Sequence, residues 1–304
     1  MKRALLVVCA LAAPAYADSN EKSRLELQAP AKGYKALAVE NQLGDVRIEG
    51  HDGNGIVIET HKHAPDDEGL DRLRISLVPD PDGTVRISTH ADPSPESKPV
   101  PRSSVSIDIV IKAPRKARLD VAVGSGKLEV VNMDAGGELD SASGAISVKN
   151  VGGELYSHTV SGHLSIAQAF GSVDAATLSS DMDLDGIAGQ KLVASANQGT
   201  IAGRRVRARD IELTTTSGRI MLEAEAGLKS HIVVSSLRGD IDVKVRRQPQ
   251  SALIVRGRGT KVDLGAQTVG QGGNWQEVKF GSGGEAGLVE LRASLGNVRF
   301  AVIQ

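Results

Sequence analysis

Residues 119–148 read LDVAVGSGKLEVVNMDAGGELDSASGAISV, one repeat unit and most of the next. Each unit is an alternating segment, a Ser-Gly turn, a second alternating segment and a glycine-bearing turn. Copies of it run nearly to the C-terminus. With Gly126, Gly144, Gly162, Ser180, Gly199, Gly218, Gly239 and Thr260 as the turn position, the spacings are 18, 18, 18, 19, 19, 21 and 21 residues. Two residues after the turn stand Leu128, Ile146, Leu164, Met182, Ile201, Ile220, Ile241 and Val262. Four after stand Val130, Val148, Ile166, Leu184, Gly203, Leu222, Val243 and Leu264. Seven before stand Leu119, Gly137, Leu155, Val173, Leu192, Ile211, Ile232 and Leu253. Only Gly137 and Gly203 break these apolar columns.

A period of this kind marks a repeat architecture. Alternation puts the apolar side chains on one face of an extended strand. One unit cannot bury that face alone, but units stacked in register can, with strands about 4.8 Å apart. The expected fold is all-β: a single-stranded parallel β-helix, or solenoid, with rungs of 18–21 residues and a core of Leu/Ile/Val ladders. Glycine at the turn permits positive φ, so Gly44, Gly126, Gly144, Gly162, Gly199, Gly218, Gly239 and Gly296 are assigned as structural turn positions. Small residues three before the turn (Ser141, Thr159, Thr177, Ala196, Thr215) fit a narrowing corner.

Residues 1–17, MKRALLVVCALAAPAYA, carry two cations, an apolar run and Ala15-Tyr16-Ala17. That is the pattern of a secretory signal peptide cleaved near Ala17. The expected location is exported, either periplasmic or at the cell surface. Val8 precedes Cys9, which argues against a lipoprotein, and Cys9 is the only cysteine. The exported chain then has no thiol chemistry. Losing Lys2 and Arg3 takes the net charge from −1 to −3, which argues against a nucleic-acid partner. No transmembrane segment follows the leader.

Residues 18–112 read as an N-terminal β region that caps the solenoid. Its first unit contains Leu37, Val39, Gly44, Val46 and Ile48. Runs at 55–60, 73–78, 84–89 and 105–112 interrupt the repeat and suggest antiparallel hairpins. Residues 91–104 carry four prolines and read as an exposed loop. Residues 113–304 form the repeats with an irregular C-terminal cap, where Trp275, Phe280 and Phe300 gather. No helix is expected anywhere.

The run IVIKAPRKARLDVAVGSGKLEV at 109–130, followed by units such as VSGHLSI and TSGRIMLE, resembles the bacterial putative adhesin family of exported β-strand-repeat proteins, a domain family of unknown function. The resemblance spans about residues 34–304. It implies an exported β-solenoid with a link to adhesion or the cell envelope, and it brings no catalytic residues.

Several groups invite chemistry. Asp181-Met182-Asp183-Leu184-Asp185-Gly186 opens like a calcium loop, but its twelfth position is Leu192, a core position. His61 and His63 share one strand face near His51, Asp66 and Asp67, a spacing that can chelate a metal. Surface histidines are the plainer reading, so no metal site is assigned. Arg204, Arg205, Arg207 and Arg209 form a basic corner that Glu223 and Glu225 partly neutralise. The Ser-Gly pairs read as turns, since no G-x-S-x-G stands in a strand–helix setting. No catalytic or cofactor site is assigned. The leading reading is a non-enzymatic, exported solenoid with a structural or adhesin-like envelope role, its partner an envelope glycan or protein, with end-to-end self-association as an open route. A β-helix polysaccharide lyase or hydrolase is the alternative; it would need clustered acids and bases beside an aromatic platform. A periplasmic metal-binding protein built on His51, His61 and His63 is the second.

Overall fold

A computed structural model describes residues 19–27, 33–92, 104–227, 229–248, 251–265, 269–271, 275–282 and 286–303. The signal-peptide reading falls on residues 1–17, and most of the proline-rich loop on 93–103; both lie outside the described residues.

The alternating runs form strands throughout. In chain order they begin with β1 (Ser19–Leu27), β2 (Ala36–Leu43), β3 (Val46–His51) and β4 (Ile56–Ala64). A one-turn helix, α1 (Asp67–Asp71), leads to β5 (Leu73–Pro79), β6 (Thr84–Ala91) and β7 (Ser106–Pro114). The regular repeats give β8 (Arg118–Ser125), β9 (Leu128–Met133), β10 (Gly136–Ser141), β11 (Ile146–Gly152), β12 (Glu154–Thr159), β13 (Leu164–Phe170), β14 (Val173–Ser179), β15 (Met182–Asp185), β16 (Ala188–Gln198), β17 (Ile201–Ser217), β18 (Ile220–Ala226), β19 (His231–Arg238) and β20 (Ile241–Arg247). The C-terminal part adds β21 (Ala252–Arg258), β22 (Lys261–Asp263), β23 (Val269–Gln271), β24 (Gln276–Phe280), β25 (Ala286–Ala293) and β26 (Val298–Ile303).

Each rung is a pair of strands, one on either side of the glycine turn. The strands before the turn stack into a leading sheet in the order β5-β6-β2-β8-β10-β12-β14-β16-β17-β19-β25-β21-β24. Those after it stack into a trailing sheet, β1-β4-β7-β3-β9-β11-β13-β15-β17-β18-β20-β26-β22-β23. The long β17 passes through both. The rungs stack in parallel, so the fold is the expected all-β solenoid. The three apolar columns point inward and are buried without exception. Of the two breaks in the columns, Gly137 meets rigid backbone and Gly203 meets only the mobile end of a side chain. A Cβ on Gly137 would meet the Leu119 carbonyl oxygen at 2.1 Å, and one on Gly203 would meet Leu222 Cδ1 at 2.9 Å.

The ends depart from chain order. The last rung, β25–β26, inserts between β19–β20 and β21–β22. The first rung, β2–β3, likewise lies between β6–β7 and β8–β9. Of the hairpins expected in 51–112, β5–β6 exists; β4 and β7 pair antiparallel across the intervening α1, β5 and β6, and β6 and β7 also make a full parallel rung. Reversed strands then cover the ladder at each end: β5 and β4 at one, β24 and β23 at the other. An uncovered parallel rung would offer unpaired backbone to another chain.

Contrary to the expectation of no helix, α1 forms after Asp66, whose carboxylate accepts from Gly69 N at 2.7 Å. One capped turn is too short to leave a 3.6-residue stripe. The expected aromatic gathering holds for Phe280 and Phe300, whose ring centroids lie 5.7 Å apart. Trp275 stays exposed.

Candidate functional site

At the turn corner adjacent rungs are in direct backbone contact. The Cα of each turn glycine lies against the carbonyl of the turn residue below. A Cβ on Gly144 would sit 1.5 Å from the Gly126 oxygen, on Gly162 1.8 Å from that of Gly144, and on Gly296 2.0 Å from that of Gly239. Gly44, Gly126, Gly199, Gly218 and Gly239 also have left-handed φ, but Gly144, Gly162 and Gly296 do not. Contact between rungs, rather than φ, is therefore what the column shares. The residues three before the turn do more than fit a tight corner. Ser141 Oγ accepts from Gly144 N at 2.9 Å and Thr159 Oγ1 from Gly162 N at 3.0 Å; Thr177 Oγ1 donates to Ser180 O at 2.8 Å. Asn41 Nδ2 donates to Gly44 O at 3.1 Å. Buried turn amides and carbonyls need such partners. The Ser-Gly serines are tied the same way: Ser143 and Ser161 donate to the Gly124 and Ala142 carbonyls of the rung below.

On the trailing sheet several outward charges pair from rung to rung. Met182 and Leu184 are buried in the core, while Asp183 and Asp185 face out. Arg204 lies 3.6 Å from Asp183, and Arg205 forms a fork with Asp185. Arg207 and Arg246 share Glu225, at 2.9 and 3.5 Å, and Arg209 bonds Asp210 at 2.8 Å. The DxDxDG run and the basic corner thus answer each other. Earlier in the stack, Glu129 bonds Lys127 at 3.0 Å and also Arg47; the Lys127 hydrogen bond above all holds its carboxyl below the usual range.

A second column was not anticipated. Asn132, Asn150, Gln168, Gly186 and Arg205 all take left-handed φ at the same place on successive rungs. Asn150 Nδ2 donates to Asn132 Oδ1 at 2.7 Å. The two asparagines 18 residues apart were the available signal, since Asn tolerates this conformation better than most residues.

The histidines do not come together. The His51 ring is bound within its own turn, to Gly53 N at 2.9 Å and Gly55 O at 3.0 Å. His61 and His63 lie on one face of β4, where His63 Nδ1 meets Asn20 Oδ1 at 3.0 Å. Among the described residues, no group of three His, Cys, Asp or Glu side chains could hold a metal ion.

The leading sheet looks different from outside. Val160 and Leu178, on adjacent rungs, are 51% and 49% exposed. They line a shallow trough with the small residues Ala122, Ala142 and Ala176. His158 and Asp140 sit in it, 3.3 Å apart. Beside it the register lines up Asp120, Glu138 and Asp174 next to Tyr156. No ion pair reaches those three acids among the described residues. Leu237, two residues before Gly239 as Val160 and Leu178 are before their own turns, is exposed as well.

Solved structures align with the chain at low identity. A putative adhesin from Bacteroides fragilis is 10% identical, with 92% of this chain and 97% of that one covered and a TM-score of 0.41. A putative adhesin from Parabacteroides merdae is 9% identical, with 93% and 96% covered and a TM-score of 0.42. A putative lipid binding protein from Parabacteroides distasonis is 12% identical, with 93% and 97% covered and a TM-score of 0.42. No curated protein matches. No helix among the described residues is long and apolar enough to cross a membrane. The Toastrack DUF4097 family matches over residues 14–269, and the chain belongs to that family.

Proposed function

We propose that the chain is a non-enzymatic, exported solenoid that makes adhesin-like contacts at the cell envelope through its leading sheet. The observation that carries this reading is the contrast between the two faces. In the middle of the stack the trailing face pairs Asp183, Asp185 and Glu225 with arginines, whereas the leading face keeps Val160 and Leu178 exposed beside Asp120, Glu138 and Asp174, which no ion pair reaches among the described residues. Carboxylates that sequence spacing brings together, such as Asp183 and Asp185, are engaged by neighbouring arginines, a structural use. Export fits the leader-like residues 1–17 and a cysteine count of one, confined to that stretch.

The test is attachment of the purified chain to isolated cell envelopes. Val160→Ser/Leu178→Ser should melt close to wild type, since both side chains are half exposed and the change adds no charge, and should lose most of the bound fraction. Equal binding by the variant would remove the leading face from the reading.

A further inference from the structure

At the C-terminal end the leading sheet changes character. Arg256 and Arg258 of β21 stand in register with Glu290 and Arg292 of β25. On the other side, Glu277 of β24 pairs with Arg256 and Gln276 with Gly257. Trp275, one residue before Gln276, therefore comes level with Arg258. Arg256 takes both carboxylates: its Nε donates to Glu277 Oε2 at 2.7 Å, and its Nη1 lies 3.6 Å from Glu290 Oε1. Arg258 and Arg292 are left facing each other with no carboxylate among the described residues. Like charges directly opposite on neighbouring strands are destabilising, so the pair works against the fold unless something anionic joins it. Arg292 Cζ also lies 5.4 Å from the centre of the Trp275 ring. That contact fixes the indole beside the arginine pair. The ring is 42% exposed and is the only tryptophan in a chain with 2% aromatic residues.

We propose that Arg258, Arg292 and Trp275 form a binding site for an acidic sugar, a hexuronate unit of an anionic glycan. The chemistry needs two things at one spacing: an aromatic face for the C–H side of a pyranose ring, and guanidinium forks for its carboxylate. A neutral sugar would leave the arginines unused, and a bare anion would leave the indole unused. Trp275 and Arg292 lie beyond residues 14–269, the stretch matched to the family. Two of the three site residues thus stand on elements outside the matched repeats. The inference deepens the contact-face reading and rests on it for biological setting only; the binding chemistry is tested on purified protein, apart from where the chain resides.

The single tryptophan makes the test direct. Purified full chain is titrated with a galacturonate oligomer while indole fluorescence is followed. A saturable change is expected, lost at high salt. Arg258→Gln should weaken binding roughly tenfold or more, the scale of a charged hydrogen bond, with a melting temperature equal to or above that of wild type because the like-charge pair is relieved. Trp275→Phe, followed by calorimetry, should still bind. A neutral glucose oligomer and inorganic phosphate are the comparison probes. No response to the galacturonate oligomer, an equal response to either comparison probe, or wild-type affinity in Arg258→Gln would overturn the assignment.

Discussion

At the scale of single residues, two glycine positions separate two physical causes. Gly144 has ordinary φ, but its missing Cβ would fall on the Gly126 carbonyl. Gly186 has φ +68°, and nothing lies closer than 3.7 Å to its would-be Cβ. Gly144→Ala should therefore cost about 1–3 kcal/mol, as overpacking against rigid backbone does. Gly186→Asn should fall within about 0.5 kcal/mol of wild type, because Asn150 and Asn132 already hold that conformation two and three rungs away. Thermal melts of both variants check this; a tolerated Gly144→Ala would mean the rungs are not in contact at the turn. The glycine column was legible in the sequence by its spacing alone. Its cause was not, because positive φ and close approach select the same residue. The Ser/Thr column was legible as small. Its hydrogen bonds to Gly144, Gly162 and Ser180 require knowing that the hydroxyl turns back toward the corner.

At the scale of elements, the repeats read directly from sequence and the ends did not. Alternation tells which residues face inward, and a fixed period tells which residues stack. Neither tells in what order rungs stack once a linker is long enough to skip a place. Between β22 and β25 there is such a stretch, and between β3 and β6 there is another. Each folds back as reversed strands, which lets β25–β26 and β2–β3 enter the stack one place in. The stacking order has a direct test, since the chain beyond residue 17 contains no cysteine. Ser235 and Arg292 stand in register on β19 and β25. Ser235→Cys/Arg292→Cys should cross-link in the folded protein with a short bifunctional maleimide. Ser235→Cys/Arg256→Cys, which chain order would bring together, should do so far less because a whole strand intervenes. The reverse pattern would restore simple chain order. The charge pairs belong to this scale too. The basic corner was visible in sequence and Glu225 was named as a partner. The Asp183 and Asp185 side of the match was missed because their DxDxDG spacing drew attention to calcium instead of to the rung above.

At the scale of the whole molecule, a solenoid of stacked rungs gives two long outward faces that can differ without disturbing the core. Here the middle of the trailing face pairs Asp183, Asp185 and Glu225 with arginines. The leading face carries an exposed apolar pair in its middle and an arginine–tryptophan row at its end. Sequence could show that the core is apolar and the surface polar. It could not show which polar residues meet each other, because that depends on register across the stack, and so the trough and the arginine row were invisible in it. Any envelope role requires that the chain be exported with its leading face open to contact. One measurement bears on this most directly. The substitution Ala176→Cys places a thiol in the trough, and a charged maleimide that cannot cross the cytoplasmic membrane reports whether that thiol is reachable in cells. The predicted result is labelling of the Ala176→Cys chain while the cytoplasmic membrane is intact, with no label on wild type. Labelling only after that membrane is broken would contradict export and, with it, any role at the envelope.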